Sequence, residues 1–138
     1  MNIKRLITFS IVVFAFIACN KTTVVIIEEY ENGDPKIVRE YVKNDTANYL
    51  ETKYYSANIK MIEGAYVDGK REGTWKAWYQ DGTLWSEGDF KEGKNNGNHV
   101  NYYENGAQRI SGKYIDGVRT GAWTFYDTLG NVLQVIEY

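Results

Sequence analysis

The chain has 138 residues, a length that suits one ordinary domain. Its 16 basic and 18 acidic residues give a formal net charge of −2 at pH 7, and it contains a single cysteine. This balance argues against binding to nucleic acid or to an anionic membrane through charge, since both need a basic surface. One cysteine also excludes a disulfide within the chain.

The first 18 residues predict a secretory signal peptide. Lys4 and Arg5 form a basic start, residues 6–18 are dominated by apolar side chains, and the run ends at Ala18. This order is typical of export signals. Thirteen helical residues would rise only about 20 Å, too little for a hydrocarbon core of ~30 Å.

Residue 19, the cysteine, follows this leader directly. The segment 16–19 (Phe-Ile-Ala-Cys) resembles a bacterial lipobox, which implies that Cys19 is lipidated and anchors the protein to a membrane. The alternatives are an ordinary signal peptide cut nearby and an uncleaved anchor.

Two weakly patterned segments come next. Residues 19–39 are predicted to hold the lipidated N-terminus and a first weak hairpin, and residues 40–63 a degenerate repeat unit. Within the latter, residues 54–58 fall one 24-residue period before residues 78–82. Asn58 then stands where the later units have glycine, and asparagine tolerates positive φ.

Three gapless repeat units follow, at 64–87, 88–111 and 112–138. Glycine fixes their register, because twelve of the thirteen glycines fall in four columns spaced by 24 residues. The columns are Gly64, Gly88 and Gly112; Gly69, Gly93 and Gly117; Gly73, Gly97 and Gly121; and Gly82, Gly106 and Gly130.

Each unit predicts two strands and two turns. Asp81-Gly82 predicts a two-residue type I′ hairpin turn, and residues 68–73 a longer turn bounded by glycines. The flanks are rich in residues that suit strands. We therefore expect an all-β fold, an antiparallel β-meander of tandem 24-residue β-hairpin repeats. Its structural turn glycines would be Gly69, Gly82, Gly93, Gly106, Gly117 and Gly130.

The turns also predict which residues are opposed. A turn at 81–82 sets Trp78 opposite Trp85, and Trp75 opposite Gly88, whose missing side chain would leave room for the Trp75 ring. The remaining predicted pairs are Lys76 with Glu87, Tyr102 with Arg109, His99 with Gly112, Tyr66 with Trp75, Phe90 with His99, and Tyr114 with Trp123.

These pairs divide the sheet into two faces. The predicted core face holds Tyr66, Trp75, Tyr79, Leu84, Phe90, Tyr103, Ile110, Tyr114, Trp123, Phe125, Val132 and Ile136. The other face is polar, yet it carries a row that we take as a candidate binding site, with Arg109 expected over the Tyr102 ring. The row consists of Trp78, Trp85, Tyr102, Arg109 and Tyr126. Such pairs could equally serve only to stabilise exposed hairpins.

At this point the residues resemble a known family. The pattern Gly-x-Tyr-x-Asp-Gly-x-x-x-Gly-x-Trp-x-x-Tyr/Trp-Tyr-x-Asp/Asn-Gly at 64–82, 88–106 and 112–130 resembles the variant MORN repeat of bacterial proteins. The resemblance implies an elongated hairpin array with a role in protein scaffolding. Many such proteins are named as antitoxins of the YwqK type, although an exported lipoprotein would not meet a cytoplasmic toxin. Two positions depart from the pattern, with His99 in place of Trp and Asp127 in place of Tyr.

The sequence favours no enzyme, cofactor or metal site. His99, the only histidine, occupies the column of Trp75 and Trp123, and no nucleophile motif accompanies it.

We expect a lipoprotein of the bacterial cell envelope, on its periplasmic or surface side, that binds or scaffolds an envelope protein. The alternative is binding of a carbohydrate or other small ligand through the aromatic row. An envelope hydrolase that uses paired carboxylates is a remote third possibility.

Overall fold

The computed structural model describes residues 22–42 and 45–138 and shows one open sheet of ten antiparallel strands in chain order. The all-β meander is thereby confirmed. The strands are β1 (Thr22–Glu29), β2 (Pro35–Val42), β3 (Asn48–Tyr54), β4 (Lys60–Val67), β5 (Lys70–Trp78), β6 (Leu84–Lys91), β7 (Lys94–Tyr102), β8 (Gln108–Ile115), β9 (Val118–Tyr126) and β10 (Val132–Glu137). A single 3₁₀ turn (Ser56–Asn58) joins β3 to β4, and Asn58 has the positive φ expected of it (59°). The predicted signal peptide and Cys19 lie outside the described residues.

The shorter turns are the type I′ turns. Val67 pairs with Lys70, so Asp68 and Gly69 alone connect β4 to β5, and both have positive φ (49° and 75°). A two-residue hairpin turn of type I′ requires this conformation. The turns at 92–93 and 116–117 repeat it. The longer turn predicted over 68–73 is therefore wrong.

The turn at Asp81-Gly82 has a different geometry from the one predicted. Gly82 alone has positive φ (87°), its N–H donates to the Tyr79 carbonyl oxygen (3.0 Å), and the Tyr79 N–H donates to the Thr83 carbonyl (2.8 Å). These bonds define a three-residue loop that ends in a left-handed glycine. The aspartate acts through its side chain, whose Oδ1 accepts the Thr83 N–H (2.8 Å).

This loop shifts the register beside it by one residue. Trp78 pairs with Leu84 and not with Trp85, although Trp75↔Gly88 is found as predicted. One period later, β7 and β8 show the same shift, with Tyr102 opposite Gln108 in place of Arg109 and His99 opposite Gly112 as expected. The extra residue of each such bulge has no partner on the preceding strand. These extra residues are Trp85, Arg109 and Leu133.

A second irregularity follows each type I′ turn. Between the pairs Glu63↔Lys76 and Ala65↔Glu72, the three residues 73–75 lie opposite Gly64 alone. Gly73, with φ 69°, allows this bulge of three residues against one. Three predicted pairs are wrong because of these bulges. Tyr66 pairs with Arg71, Phe90 with Asn95, and Tyr114 with Arg119.

Each bulge carries a ring onto a glycine of the preceding strand. A Cβ added to Gly64 would overlap the Trp75 ring, and one added to Gly112 would overlap the Trp123 ring. The prediction that Gly88 lies beneath Trp75 is wrong. Gly88 lies beneath His99, whose Nδ1 would be 2.6 Å from an added Cβ.

The core consists of one side of this sheet. Trp75 and Trp123 are 4% and 1% exposed, and the Trp75 ring contacts Tyr66 (5.1 Å between centroids) and Phe90 (6.1 Å). We call this side the aromatic face. The opposite side, which we call the polar face, includes Lys76 and Glu87, joined by an ion pair of 3.0 Å. In the described part of the chain no second layer packs on either face.

Tyrosine hydroxyls tie successive three-residue turns together. The Tyr79 hydroxyl donates to the Tyr102 carbonyl (2.9 Å), and the Tyr103 hydroxyl donates to the Tyr126 carbonyl (2.8 Å). Asp127 takes this position in the last unit and accepts hydrogen bonds within its own turn, from Leu129 and Asn131. The series of tyrosine hydroxyl bonds between successive turns, the hydroxyl ladder, therefore has no member at residue 127.

Candidate binding surfaces

The five residues of the predicted binding row do not form a continuous stack. The register shift separates Trp78 from Trp85, whose ring lies against Tyr79 instead (6.4 Å). Arg109 lies over the Tyr103 ring (5.7 Å) and not over Tyr102. Both predicted contacts within the row are wrong, because each was counted across a bulge.

The structure groups these residues differently. Trp85, Arg109 and Leu133 are the extra residues of three equivalent bulges, 24 positions apart, and all three are exposed, Trp85 by 45% and Leu133 by 66%. We call them the bulge column. Trp78, Tyr102 and Tyr126 are half-buried beside it. The Tyr126 hydroxyl lies 3.3 Å from the Ser111 Oγ.

A shallow groove of about 610 Å³ crosses strands β6 to β9. Its polar lining includes Glu87, Asn98, Ser111, Lys113 and Thr120. Glu87 pairs with Val100, which pairs with Ser111, so these residues follow one another across the polar face. The groove thus offers a carboxylate, an ammonium, hydroxyls and an amide to a ligand.

His99 belongs to the aromatic face. Its Nε2 lies 3.0 Å from the Asn101 Oδ1, its Nδ1 is buried without a hydrogen-bond partner, and its ring contacts Tyr114 and Trp123. Burial lowers the pKa of His99 below its ordinary value, and the nearby positive charge of Arg119 acts in the same direction. None of these neighbours is a nucleophile or a carboxylate. Within residues 22–42 and 45–138, no three His, Cys, Asp or Glu side chains are grouped so that they could hold a metal.

Sequence reasoning missed a set of arginines on the aromatic face. The Arg71 guanidinium lies 4.3 Å from the Trp75 ring, and Arg119 lies 4.5 Å from Trp123. Each arginine precedes its tryptophan by four residues, and the two pairs are 48 residues apart. Their recurrence at twice the repeat period could have predicted these contacts. The middle unit has Asn95 at the corresponding position.

Comparison with known proteins identifies one repeat. Residues 71–92, which span β5 and β6 with their turn, match the MORN repeat variant family. No curated protein and no solved structure matches the chain. The match supports a MORN-repeat protein, consistent with the 24-residue period of the turns, but does not extend to the narrower YwqK-type assignment. In the described segments, no helix has the length and hydropathy needed to cross a membrane.

Proposed function

We propose that the protein is a lipid-anchored repeat module of the bacterial cell envelope, whose polar face binds another envelope protein. The bulge column is the observation that carries this proposal. It presents an aromatic ring, a guanidinium and an aliphatic side chain at regular steps, all exposed. Tryptophan and arginine are enriched among the residues that dominate binding energy at protein interfaces.

The backbone geometry holds the bulge column in place. Each of its residues is fixed by the three-residue turn next to it, and tyrosine hydroxyls link consecutive turns at 2.8–2.9 Å. A partner would therefore meet side chains on a backbone that is already ordered, which reduces the entropy lost on binding.

A lipid at Cys19 would orient the module. Cys19 stands three positions before the start of β1 at Thr22, so β1 would be held close to the bilayer. Nine strand spacings of ~4.8 Å separate β1 from β10, about 43 Å across the sheet. The bulge column, on β6, β8 and β10, would then lie in the half of the sheet farther from the anchor.

The anchor is tested by Cys19→Ser in the full chain. We expect this variant to leave the membrane fraction for the soluble or precursor pool, and its mass to lack the lipid found on the wild type. If fractionation and mass were both unchanged, the lipoprotein part of the proposal would be wrong.

The binding face is tested by photocrosslinking. A photoreactive amino acid at Arg109 should cross-link one envelope protein in intact cells, whereas the same group at Val118, an exposed residue at a hairpin tip, should not. Trp85→Thr should abolish the cross-link with little change in melting temperature, because its ring is nearly half exposed. Equal cross-linking from both sites would show that the bulge column is not the binding surface.

The groove supports a second candidate, a carbohydrate ligand. Its hydroxyl, amide and charged groups suit the hydroxyls of a sugar, and Glu87 stands two residues after Trp85 on β6. Binding to isolated glycans that is lost in Ser111→Val, together with no protein cross-link from residue 109, would favour this alternative.

A further inference from the structure

The outer edge of β10 offers unpaired backbone groups. Tyr138 and Gly121 exchange two backbone hydrogen bonds of 3.1 Å. Because the backbone groups of a strand point alternately to its two sides, those of Val135 and Glu137 point away from β9. No strand of the described residues pairs with this edge.

The last hairpin departs from the repeat in two columns. Ile136 stands in the column of Gly64, Gly88 and Gly112, where each glycine lies beneath a ring of the following strand. An isoleucine fills that space. Asp127, in the tyrosine column, likewise ends the hydroxyl ladder. Two columns thus change in the last hairpin, so the ring-over-glycine contact and the tyrosine hydroxyl bond of the preceding units have no counterpart at this edge.

The two outer strands of the sheet differ in how they are protected. β1 has two register shifts near Glu28, which also forms an ion pair of 2.6 Å with Lys36. Bulges and charges of this kind deter pairing with other chains. β10 has a single register shift, at Leu133. Its sequence, Val-Leu-Gln-Val-Ile-Glu, contains no lysine, arginine or proline, and Val132, Leu133 and Val135 are 59%, 66% and 52% exposed.

The residue order of β10 is complementary to itself. Reading outward from Gln134, Leu133 and Val135 are the first neighbours, and Val132 and Ile136 the second. An antiparallel copy centred on Gln134 therefore places apolar residues opposite apolar residues on both sides. Apolar cross-strand pairs are the unit that stabilises such ladders.

We propose that two copies of this chain pair antiparallel through β10, with the two-fold axis at Gln134, to form a continuous sheet of twenty strands. The contact is isologous, as in most symmetric dimers. It uses the edge of the sheet, where Leu133 of the bulge column would lie opposite Val135 of the second copy, and it leaves Trp85 and Arg109 accessible. It goes beyond the binding proposed for the polar face and does not depend on it.

A cysteine at position 134 tests this geometry in the full chain. The backbone groups of Val135 point outward, so Gln134 and its copy form a non-hydrogen-bonded pair, with Cα atoms about 4.5 Å apart. That separation permits a disulfide. Gln134→Cys should form a dimer at twice the mass of the single chain on a non-reducing gel, and reduction should remove it.

Two controls make the result specific. Gln108→Cys is exposed on the interior strand β8 and should stay monomeric, as should the wild type with its own Cys19. In the Gln134→Cys background, Val135→Lys should weaken dimer formation about tenfold, since it sets two like charges at the contact. Val118→Lys, at a more exposed apolar site away from the edge, should leave the dimer intact.

Three outcomes would overturn the proposal. The first is no dimer from Gln134→Cys above the level of Gln108→Cys. The second is a disulfide that forms only when Val24→Cys on β1 is also present, which would mean head-to-tail pairing. The third is a cross-link from residue 134 to a different protein.

Discussion

The first hairpins and the later repeats solve the same packing problem with different chemistry. From β4 onward, a ring crosses onto a glycine of the preceding strand. One period before Trp75 stands Glu51, which is 4% exposed. Its carboxylate accepts a hydrogen bond from the Arg39 Nε (2.8 Å), and the Lys53 Nζ lies 3.6 Å away. An ion pair therefore occupies the position that an aromatic ring takes later.

The backbone explains the difference. The β2–β3 ladder runs without interruption from Ile37↔Lys53 to Tyr41↔Tyr49, whereas each later hairpin with a type I′ turn has a bulge in which three residues oppose one. Tyr49 stands where the later units have Gly73, Gly97 and Gly121. Without a glycine at this position no bulge forms, and residue 51 pairs directly with Arg39. The third glycine column thus decides whether a ring crosses to the preceding strand.

Removal of Arg39 should be the most damaging change. Arg39→Met would leave the buried Glu51 carboxylate with Lys53 alone. Loss of one partner of a buried pair costs about 3–5 kcal/mol, and the partial exposure of Arg39 favours the lower end, about 3 kcal/mol. The free energy of unfolding in urea measures this cost.

Two further variants separate the burial of the charge from simple loss of contacts. Arg39→Met/Glu51→Leu should recover most of the loss, because apolar residues can replace a buried ion pair at little cost. Lys36→Met removes the exposed pair with Glu28 and should cost at most about 1 kcal/mol. If the double variant were less stable than Arg39→Met, the buried carboxylate would not be the cause.

A methyl group under a ring should have the next largest effect. Gly112→Ala would force the nearly fully buried Trp123 ring from its place, against the hydrogen bond of its Nε1 to the Lys113 carbonyl (3.2 Å). Overpacking of this kind costs about 1–3 kcal/mol. Thermal unfolding followed by tryptophan fluorescence should show a lower melting temperature.

Gly88→Ala is the matched comparison within the same column. Its methyl group would meet only the Nδ1 edge of His99 closely, and that smaller ring can shift more easily. We expect a cost nearer the lower end of the same range, about 1 kcal/mol. Equal destabilisation by the two substitutions would show that the size of the covering ring does not matter.

The sequence predicted the features that do not depend on bulges. Glycine spacing established the 24-residue period, and the pairs Trp75↔Gly88, Lys76↔Glu87 and His99↔Gly112 are confirmed because each lies away from the irregular positions. Both turn types contain Asp-Gly, and the dipeptide does not by itself distinguish a two-residue turn from a three-residue loop. For this reason the sequence predicts each of the two turn types at the place where the structure has the other.

The contacts of the candidate site were less predictable. A bulge changes the register by one residue without leaving a sequence signal at the extra residue, so Trp78 was paired with Trp85 and Arg109 with Tyr102. The ion pair of Arg39 and Glu51 lies in a segment that matches the repeat weakly, and nothing in the repeat pattern distinguishes it. By contrast, the 48-residue spacing of Arg71 and Arg119, each four residues before a tryptophan, was present in the sequence.

The smallest expected effect concerns the middle repeat, where His99 replaces the tryptophan of its neighbours. Burial lowers the pKa of His99 in the folded protein below the ordinary value near 6.5, so the unfolded chain binds this proton more readily. Stability should therefore be constant with respect to this group above pH 6.5 and fall as the pH decreases toward the lowered pKa. His99→Trp should remove that part of the pH dependence, since Trp75 and Trp123 occupy equivalent positions over glycine.

The check is the difference in unfolding free energy between wild type and His99→Trp, measured at several pH values from 5.5 to 8. Because carboxylates titrate in both proteins alike, the difference isolates the histidine. A difference that stays constant over this range, or that favours the wild type at the acidic end, would show that His99 takes up its proton as readily in the sheet as in the unfolded chain.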